Sequence, residues 1–300
     1  MKNIFMMAVV CVAAFSCNRA AMPSATPYTN AEIKNEQGNI ILAGHCAKSI
    51  LQTMPYKDWY NKSYNPYNVD SATVRQLTPV LKNKEIEIFL GSWCGDTKRE
   101  LPRMMKILEA AAFDTANIKL IFVDNSTKTY KQSPQHEEAG KNIHRVPTFI
   151  LYENKKEMGR IVQDPVESLE KDLLKIALQL PYIPQFKAVV YWHEQVNNRS
   201  KKMNNNTLET LAAQLKPICK NMGEFNAYGY VQLAQKHYTE AINVFRLNTF
   251  IYPADAGTYD SLGEAYYTTG NKEDAIKNYK KVLELKPGDE NAIKMLKEIK

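Results

Sequence analysis

Apolar runs in the middle of the chain alternate with amphipathic stretches. Short runs rich in β-branched and aromatic residues, bounded by polar or turn-forming residues, indicate buried strands. Longer stretches with apolar residues three and four positions apart indicate helices. The predicted strands are 85–90, 118–123, 148–152 and 157–162, and the predicted helices are 97–112 and 166–180. Because strands and helices alternate in this order, the pattern predicts an α/β domain.

A second pattern, with a period of 34 residues, occupies the C-terminal third of the chain. The repeated positions are Gly229, Ala241, Ile242, Phe245 and Pro253, which recur 34 residues later as Gly263, Ala275, Ile276, Tyr279 and Pro287. This period and these residue types resemble the tetratricopeptide repeat. The resemblance implies two all-α helix pairs plus a capping helix over 223–300. It also implies a concave groove that binds a peptide or protein ligand.

The regions on either side of the predicted α/β domain carry weaker patterns. Residues 31–83 are an expected N-terminal extension packing on the α/β core, with a strand and a helix around Cys46. This extension holds an aromatic cluster of Trp59, Tyr60, Tyr64 and Tyr67. We favour packing of the cluster against the neighbouring sheet over stacking on a sugar or peptide. Residues 181–222 predict a helical connector, with helices near 189–196 and 208–215.

The N-terminal sequence predicts export. An apolar run at 4–15 is too short for a comfortable membrane span, which is typical of a signal peptide. Cys17 follows a small residue at the end of this run and resembles the lipidated cysteine of a bacterial lipobox, although Ala14 stands where leucine is usual. We therefore expect a signal peptide at 1–17, a lipid on Cys17 and a flexible tether at 18–30. Ordinary signal-peptidase cleavage is the alternative.

Lipidation implies a lipoprotein in the cell envelope, on the periplasmic side of a membrane. After export, Cys46, Cys94 and Cys219 remain in an oxidising compartment. No pair of cysteines has metal-ligand spacing, and the five histidines are scattered, so we expect no metal and no cofactor. The net charge of +7 comes from scattered lysines and arginines. Without a basic block interleaved with aromatic residues, we expect no nucleic-acid partner.

The stretch EIFLGSWCGDTKRELP at 87–102 brings a cysteine to the start of a predicted helix. Trp93 and Cys94 follow the strand, Pro102 comes eight residues after Cys94, and Val146-Pro147-Thr148 precedes another strand. Together with the element order, these residues resemble the thioredoxin family over 84–180. The WCGDT sequence resembles a group of monothiol thioredoxin-like proteins of Bacteroidota. The resemblance implies a thioredoxin-like α/β domain ahead of the tetratricopeptide helices.

The position of Cys94 predicts its chemistry. Unpaired N–H groups and the positive end of a helix dipole stabilise a thiolate, which is the reactive form of cysteine. Lys98 and Arg99 in the first turn add positive charge, whereas Asp96 opposes ionisation of the thiol.

The thioredoxin resemblance assigns further residues to a substrate site. It implies that Pro147 is cis and faces Cys94, and that the Val146 backbone pairs with an extended substrate segment. With Trp93 and Gly95 beside the thiol, these residues form the expected substrate contacts. A turn that serves the fold alone is the alternative for Pro147.

Two departures from the thioredoxin pattern restrict this chemistry. Thr97 takes the place of the resolving cysteine, and its hydroxyl is expected to donate a hydrogen bond to the Cys94 thiolate. Ile88 takes the place of the family's buried acid. We therefore expect monothiol thiol–disulfide exchange with thiols or disulfides of envelope proteins, by a thiol–disulfide oxidoreductase without a resolving cysteine. A non-catalytic scaffold that uses both domains to hold partners is the alternative, so enzymatic activity stays open.

Overall fold

The structure is a computed structural model that describes residues 30–299. Its first part is a mixed α/β region. The strands are β1 (Ala31–Lys34), β2 (Ile40–Cys46), β3 (Lys84–Leu90), β4 (Ile118–Phe122), β5 (Thr148–Glu153) and β6 (Lys156–Val162). The helices are α1 (Tyr56–Tyr64), α2 (Ser71–Val80), α3 (Gly95–Ala110) and α4 (Leu169–Ala177). The expected signal peptide at 1–17 and most of the expected tether at 18–30 lie outside the described residues.

The six strands form one sheet in the order β1-β2-β4-β3-β5-β6. Strands β3 and β4 are parallel and are joined through α3, whereas every other neighbouring pair is antiparallel. Ile88 at the centre of β3 pairs with Leu120 of β4 and Phe149 of β5, and it is fully buried. Position 88, where the thioredoxin pattern has a buried acid, is therefore an apolar core position.

Helices α1 to α4 pack over one face of the sheet. Tyr56 and Tyr60 of α1 are only 3% exposed and belong to this core, and Trp59, Tyr64 and Tyr67 pack against its edge. Burial of aromatic side chains of this size contributes much of the apolar area of a small domain. The aromatic cluster of the N-terminal extension therefore packs as part of the fold, as we favoured from the sequence.

The opposite face of the sheet is covered by the segment 123–147. This segment is irregular apart from a 3-10 turn at Thr127–Thr129. Phe89, Ile121 and Ile150 from the strands pack there with Val146. Because this segment also reaches the carboxyl end of β3, it brings distant residues to the start of α3.

The second part of the chain is all-α. Its helices are α5 (Lys187–Gln195), α6 (Asn205–Leu215), α7 (Met222–Ala234), α8 (Tyr238–Ile251), α9 (Ala256–Thr268), α10 (Lys272–Leu285) and α11 (Glu290–Glu298). The starts of α7 and α8 recur 34 residues later at α9 and α10. Helix α11 covers the last pair, with Ala292 buried against Ala275 and Tyr279. Among residues 30–299, no helix is long and apolar enough to cross a membrane.

Predicted and observed elements differ mainly at their ends. The helix expected over 97–112 begins at Gly95, so that Cys94 is its N-cap. The helix expected over 166–180 spans Leu169–Ala177, because the Ser168 side chain accepts a hydrogen bond from the Lys171 N–H and caps it there. The helix expected after Cys46 is only a short 3-10 turn at Lys48–Gln52.

Gly229 and Gly263 occupy equivalent positions in the two helix pairs, but the space available for a Cβ atom differs between them. A Cβ on Gly229 would lie 2.7 Å from the Phe245 ring, whereas one on Gly263 would lie 3.1 Å from the Tyr279 ring. We expect Gly229→Ala to lower the free energy of unfolding by about 1–3 kcal/mol through overpacking. Gly263→Ala should be close to neutral, because the gain in helix propensity, about 1 kcal/mol, offsets a smaller clash.

Thermal and urea denaturation of the two variants beside wild type measures this difference. Gly263→Ala serves as the matched control, since it makes the same chemical change at the equivalent helix position. A Gly229→Ala protein that is as stable as Gly263→Ala would contradict the close approach of α7 and α8.

Candidate functional site

Cys94 is held at the carboxyl end of the central strand by a tight turn. Its N–H donates to the Gly91 carbonyl at 2.9 Å, and its own carbonyl accepts from Lys98 N–H at 3.1 Å as the first bond of α3. The Trp93 ring lies against Gly91, where a Cβ would approach it to 2.6 Å. The Trp93 indole N–H donates to the Val123 carbonyl at 3.0 Å. Glycine at position 91 therefore lets the indole close the turn beside the cysteine.

The Cys94 thiol faces the segment that precedes β5. Its Sγ donates to the Val146 carbonyl at 3.3 Å, and the Val146–Pro147 bond is cis, as the sequence predicts. Val146 is only 3% exposed, however, and the Pro147 carbonyl accepts from Gln163 N–H at 2.7 Å. The Val146 backbone, which we expected to pair with an extended substrate segment, is therefore buried in this structure. Gly95 is exposed, with open space where a side chain would be.

Thr97 does not make the hydrogen bond that we expected. Its side chain is fully buried, and its Oγ1 accepts from the Gly91 N–H at 3.2 Å. No hydrogen bond joins it to the Cys94 thiol in the part of the chain that the structure describes. The hydroxyl belongs to the first turn of α3 and is directed toward the β3–α3 turn. Thr97 therefore stabilises the turn that carries Cys94.

Arg99, one of the two cations expected beside Cys94, is held by carboxylates, and a cation from elsewhere in the chain lies at the Cys94 turn. Arg99 is paired with carboxylates of Asp96, Glu100 and Asp164 at 2.5–2.9 Å. Lys131 instead lies at the site, with its Nζ 4.9 Å from the centre of the Trp93 ring. Sequence analysis missed Lys131 because it belongs to an irregular segment, 37 positions beyond Cys94, with no periodic pattern.

The helical region packs against the same end of the sheet through Arg145. One guanidinium nitrogen donates to the Gly223 carbonyl of α7 at 2.5 Å, and the guanidinium carbon lies 4.7 Å from the Phe186 ring centre. Tyr130 meets Tyr230 of α7 edge to face, with 6.5 Å between centroids. The candidate site is thus bordered by both regions of the protein.

The other two described cysteines lie in environments that disfavour a thiolate. Cys46 is 1% exposed, and burial raises the pKa of its thiol to about 12. Cys219 is only partly buried, yet desolvation and the Glu224 carboxylate raise its pKa to about 12. All three described cysteines are free. Within residues 30–299, no group of three or more acidic, histidine or cysteine side chains is arranged to hold a metal ion.

Comparison with known families identifies one segment of the chain. Residues 256–289 match the tetratricopeptide repeat. They comprise α9, α10 and the turn that follows them. A search of curated proteins finds no matching sequence. The C-terminal region therefore contains a tetratricopeptide repeat, which indicates a capacity for protein–protein interaction.

His144 lies between the two regions and is 4% exposed. Its ring meets Phe186 and Tyr228 edge to face at 6.0 and 6.1 Å. Burial lowers the pKa of His144 to about 3, and the nearby Arg145 guanidinium acts in the same direction. Because the unfolded chain binds this proton near pH 6.5, stability is lost as pH falls from about 6.5 toward 3.

We expect His144→Gln to flatten the pH dependence of stability across that window. The slope removed should be up to about 1.4 kcal/mol per pH unit. Urea denaturation at pH 4.5, 5.5 and 7 measures it. His136→Gln is the matched control, since the His136 side chain is 65% exposed, and it should keep the wild-type slope. Equal slopes for all three proteins would contradict a neutral, buried His144.

Proposed function

We propose that this protein is an envelope-anchored, thioredoxin-like protein that performs monothiol thiol–disulfide exchange with protein partners through Cys94. The observation that carries the proposal is the placement of Cys94. It is the N-cap of a 16-residue helix, it is partly exposed, and its thiol is 3.3 Å from the carbonyl next to a cis-proline. Helix N-termini favour thiolates, and thiolates are the nucleophiles of disulfide exchange.

The topology supports a thioredoxin-like domain. A central strand leads through the cysteine turn and α3 to a parallel neighbour, and the chain then reaches Pro147, an antiparallel hairpin and a final helix. This is the order that the resemblance implies over 84–180. Function does not follow from fold alone, so the proposal depends on the chemistry of Cys94.

The proposed step is a single exchange. The Cys94 thiolate attacks one sulfur of a partner disulfide, forming a Cys94–partner disulfide as the partner's own S–S bond breaks. The second partner sulfur leaves as a thiolate and takes up a proton. A thiol of the partner or of a second protein must then attack the mixed disulfide, because Thr97 carries no thiol and is buried under the turn.

A non-catalytic scaffold is the second candidate function. The burial of Val146 favours it, because the backbone edge that would bind an extended substrate is covered. The tetratricopeptide repeat at 256–289 gives this candidate its binding surface for a peptide or protein ligand. In this case Cys94 would form no covalent intermediate with a partner.

Alkylation and trapping distinguish the two candidates. The first variant carries Cys46→Ala and Cys219→Ala and keeps Cys94, and the matched variant carries Cys46→Ala and Cys94→Ser and keeps Cys219. We expect iodoacetamide at pH 7 to label Cys94 in the first variant faster than it labels Cys219 in the second. Desolvation disfavours the Cys219 thiolate, whereas Cys94 is at a helix N-terminus.

We also expect wild-type protein to accumulate mixed disulfides on non-reducing gels, and Cys94→Ser to accumulate none. Thr97→Cys should shorten their lifetime by supplying a resolving thiol, and the apolar Ile88 should keep that gain partial. A Cys94 that labels no faster than Cys219 and traps no partner would overturn exchange and leave the scaffold.

The envelope location is part of the proposal and rests on the sequence at 4–17. We expect metabolic labelling with a fatty acid to mark wild-type protein and not Cys17→Ala, because the lipid is attached to the Cys17 sulfur. Cys11→Ala is the matched control and should label normally, since Cys11 lies inside the expected signal peptide. Equal labelling of wild type and Cys17→Ala would remove the lipoprotein assignment.

A further inference from the structure

Lys131 is a buried cation without an acidic partner. The residue is 4% exposed, and its ammonium lies over two aromatic faces, 4.9 Å from the Trp93 ring centre and 4.5 Å from that of Tyr130. Within residues 30–299, Lys131 forms no ion pair with a carboxylate. A buried ammonium is costly unless an opposite charge compensates it, and ring faces supply only part of that compensation.

The backbone around Lys131 is tightly fixed. Its N–H donates to the Asp124 carbonyl at 2.9 Å, and Asp124 N–H donates to the Gln132 carbonyl at the same distance, so that the loop closes on itself. The Asp124 carboxylate accepts from the N–H and hydroxyl groups of Ser126 and from the Thr129 hydroxyl. The fold therefore holds the lysine against the Trp93–Cys94 turn.

The charged and titratable groups around Lys131 come from three elements. Cys94 at the start of α3 is the group whose negative charge favours the ammonium, and Arg145 before β5 is a like charge that disfavours it. Tyr130 of the same loop is partly buried, and desolvation raises its pKa, which keeps it neutral. The buried His144 beside Arg145 is also affected by the Lys131 charge, and its lowered pKa keeps it neutral. The Asp96 and Glu224 carboxylates act on Arg145. Among these groups, the Cys94 sulfur is the one that can become an anion beside Lys131.

We propose that Lys131 is the charge partner of the Cys94 thiolate, so that the two side chains form an ammonium–thiolate pair that makes Cys94 nucleophilic at neutral pH. This inference deepens the proposed exchange function and rests on it for its biological meaning. Lys131 acts on the reaction through Cys94 and is a positioning residue. Burial lowers the pKa of Lys131 to about 7, so its protonation depends on whether the thiolate is present.

The test measures the rate of iodoacetamide labelling of Cys94 between pH 5 and 9, in full-length protein with Cys46→Ala and Cys219→Ala. A nearby opposite charge shifts the pKa of an ionisable group by roughly one to three pH units, and each unit is a tenfold change in the fraction of thiolate. We therefore expect Lys131→Met to slow labelling at pH 7 by about tenfold or more. The pH of half-maximal labelling should rise in parallel.

Two variants complete the series. Lys131→Arg keeps the positive charge and should retain most of the labelling rate. Lys128→Met removes a charge from the same loop at an exposed position and should match wild type at every pH. Labelling of Lys131→Met at the wild-type rate would overturn the pair, as would an equal loss in Lys128→Met.

A reciprocal measurement covers the case in which Lys131→Met fails to fold. Acetic anhydride acetylation of Lys131, followed by mass spectrometry at pH 8, is compared in wild type and Cys94→Ser. Loss of the thiolate should free the amine from its proton and speed acetylation of Lys131 but not of Lys128. An unchanged Lys131 rate would overturn the pair.

The labelling series tests the pair of Lys131 and Cys94, and the trapping experiment tests the exchange function, so either claim can be contradicted while the other stands. Charge-dependent labelling without trapped partners keeps the pair and removes the exchange function. Trapped partners with labelling that is independent of Lys131 keep exchange and remove the pair.

Discussion

The contact of the Arg145 guanidinium with α7 is the interaction on which the candidate site depends. Arg145 directly precedes Val146, the residue whose carbonyl meets the Cys94 thiol, and it donates to the Gly223 carbonyl in the first turn of α7. Its guanidinium also lies on the Phe186 ring. Burial lowers the pKa of this cation, and hydrogen bonds from its two terminal nitrogens and the ring face offset part of the desolvation cost. The α/β and helical regions therefore meet at the cysteine.

This arrangement places the first helix pair in contact with the segment beside Cys94. Helix α7 begins the first helix pair and carries Tyr230, which meets Tyr130 of the loop that also holds Lys131. The Tyr230 hydroxyl donates a hydrogen bond to the Glu264 carboxylate, which lies in the tetratricopeptide repeat at 256–289. Side-chain contacts thus run from the repeat through α7 to the loop that holds Lys131.

Two residues stand where the thioredoxin pattern has a resolving cysteine and a buried acid, and they share one structural consequence. With Ile88 in the core and the Thr97 hydroxyl bound to the Gly91 N–H, the interior side of α3 is fully used for packing. The Cys94 thiol instead contacts the buried Val146 carbonyl, and the buried Lys131 lies over the ring of the neighbouring Trp93. In the exchange that we propose, one sulfur without a second thiol beside it allows a mixed disulfide to form but not to be released within the domain.

The sequence by itself determined the regular elements and the identity of the sulfur. Apolar periodicity encodes strands and helices locally, so the strands at 85–90, 118–123, 148–152 and 157–162 were placed almost to their ends, and the 34-residue period predicted the two helix pairs. The position of Cys94 at the start of α3 followed from the same local pattern, as did the apolar site at Ile88.

Tertiary structure alone decided what surrounds the sulfur. Lys131 and Arg145 lie in the irregular segment 123–147, whose path is set by contacts with Trp93 and α7 rather than by any repeat of residue types. The direction of the Thr97 hydroxyl and the burial of Val146 depend on the same long-range packing. The periodicity of apolar residues indicates which face of a helix or strand is buried. Which charges lie next to each other, and which backbone is shielded from solvent, depends on the distant segments that pack against that face.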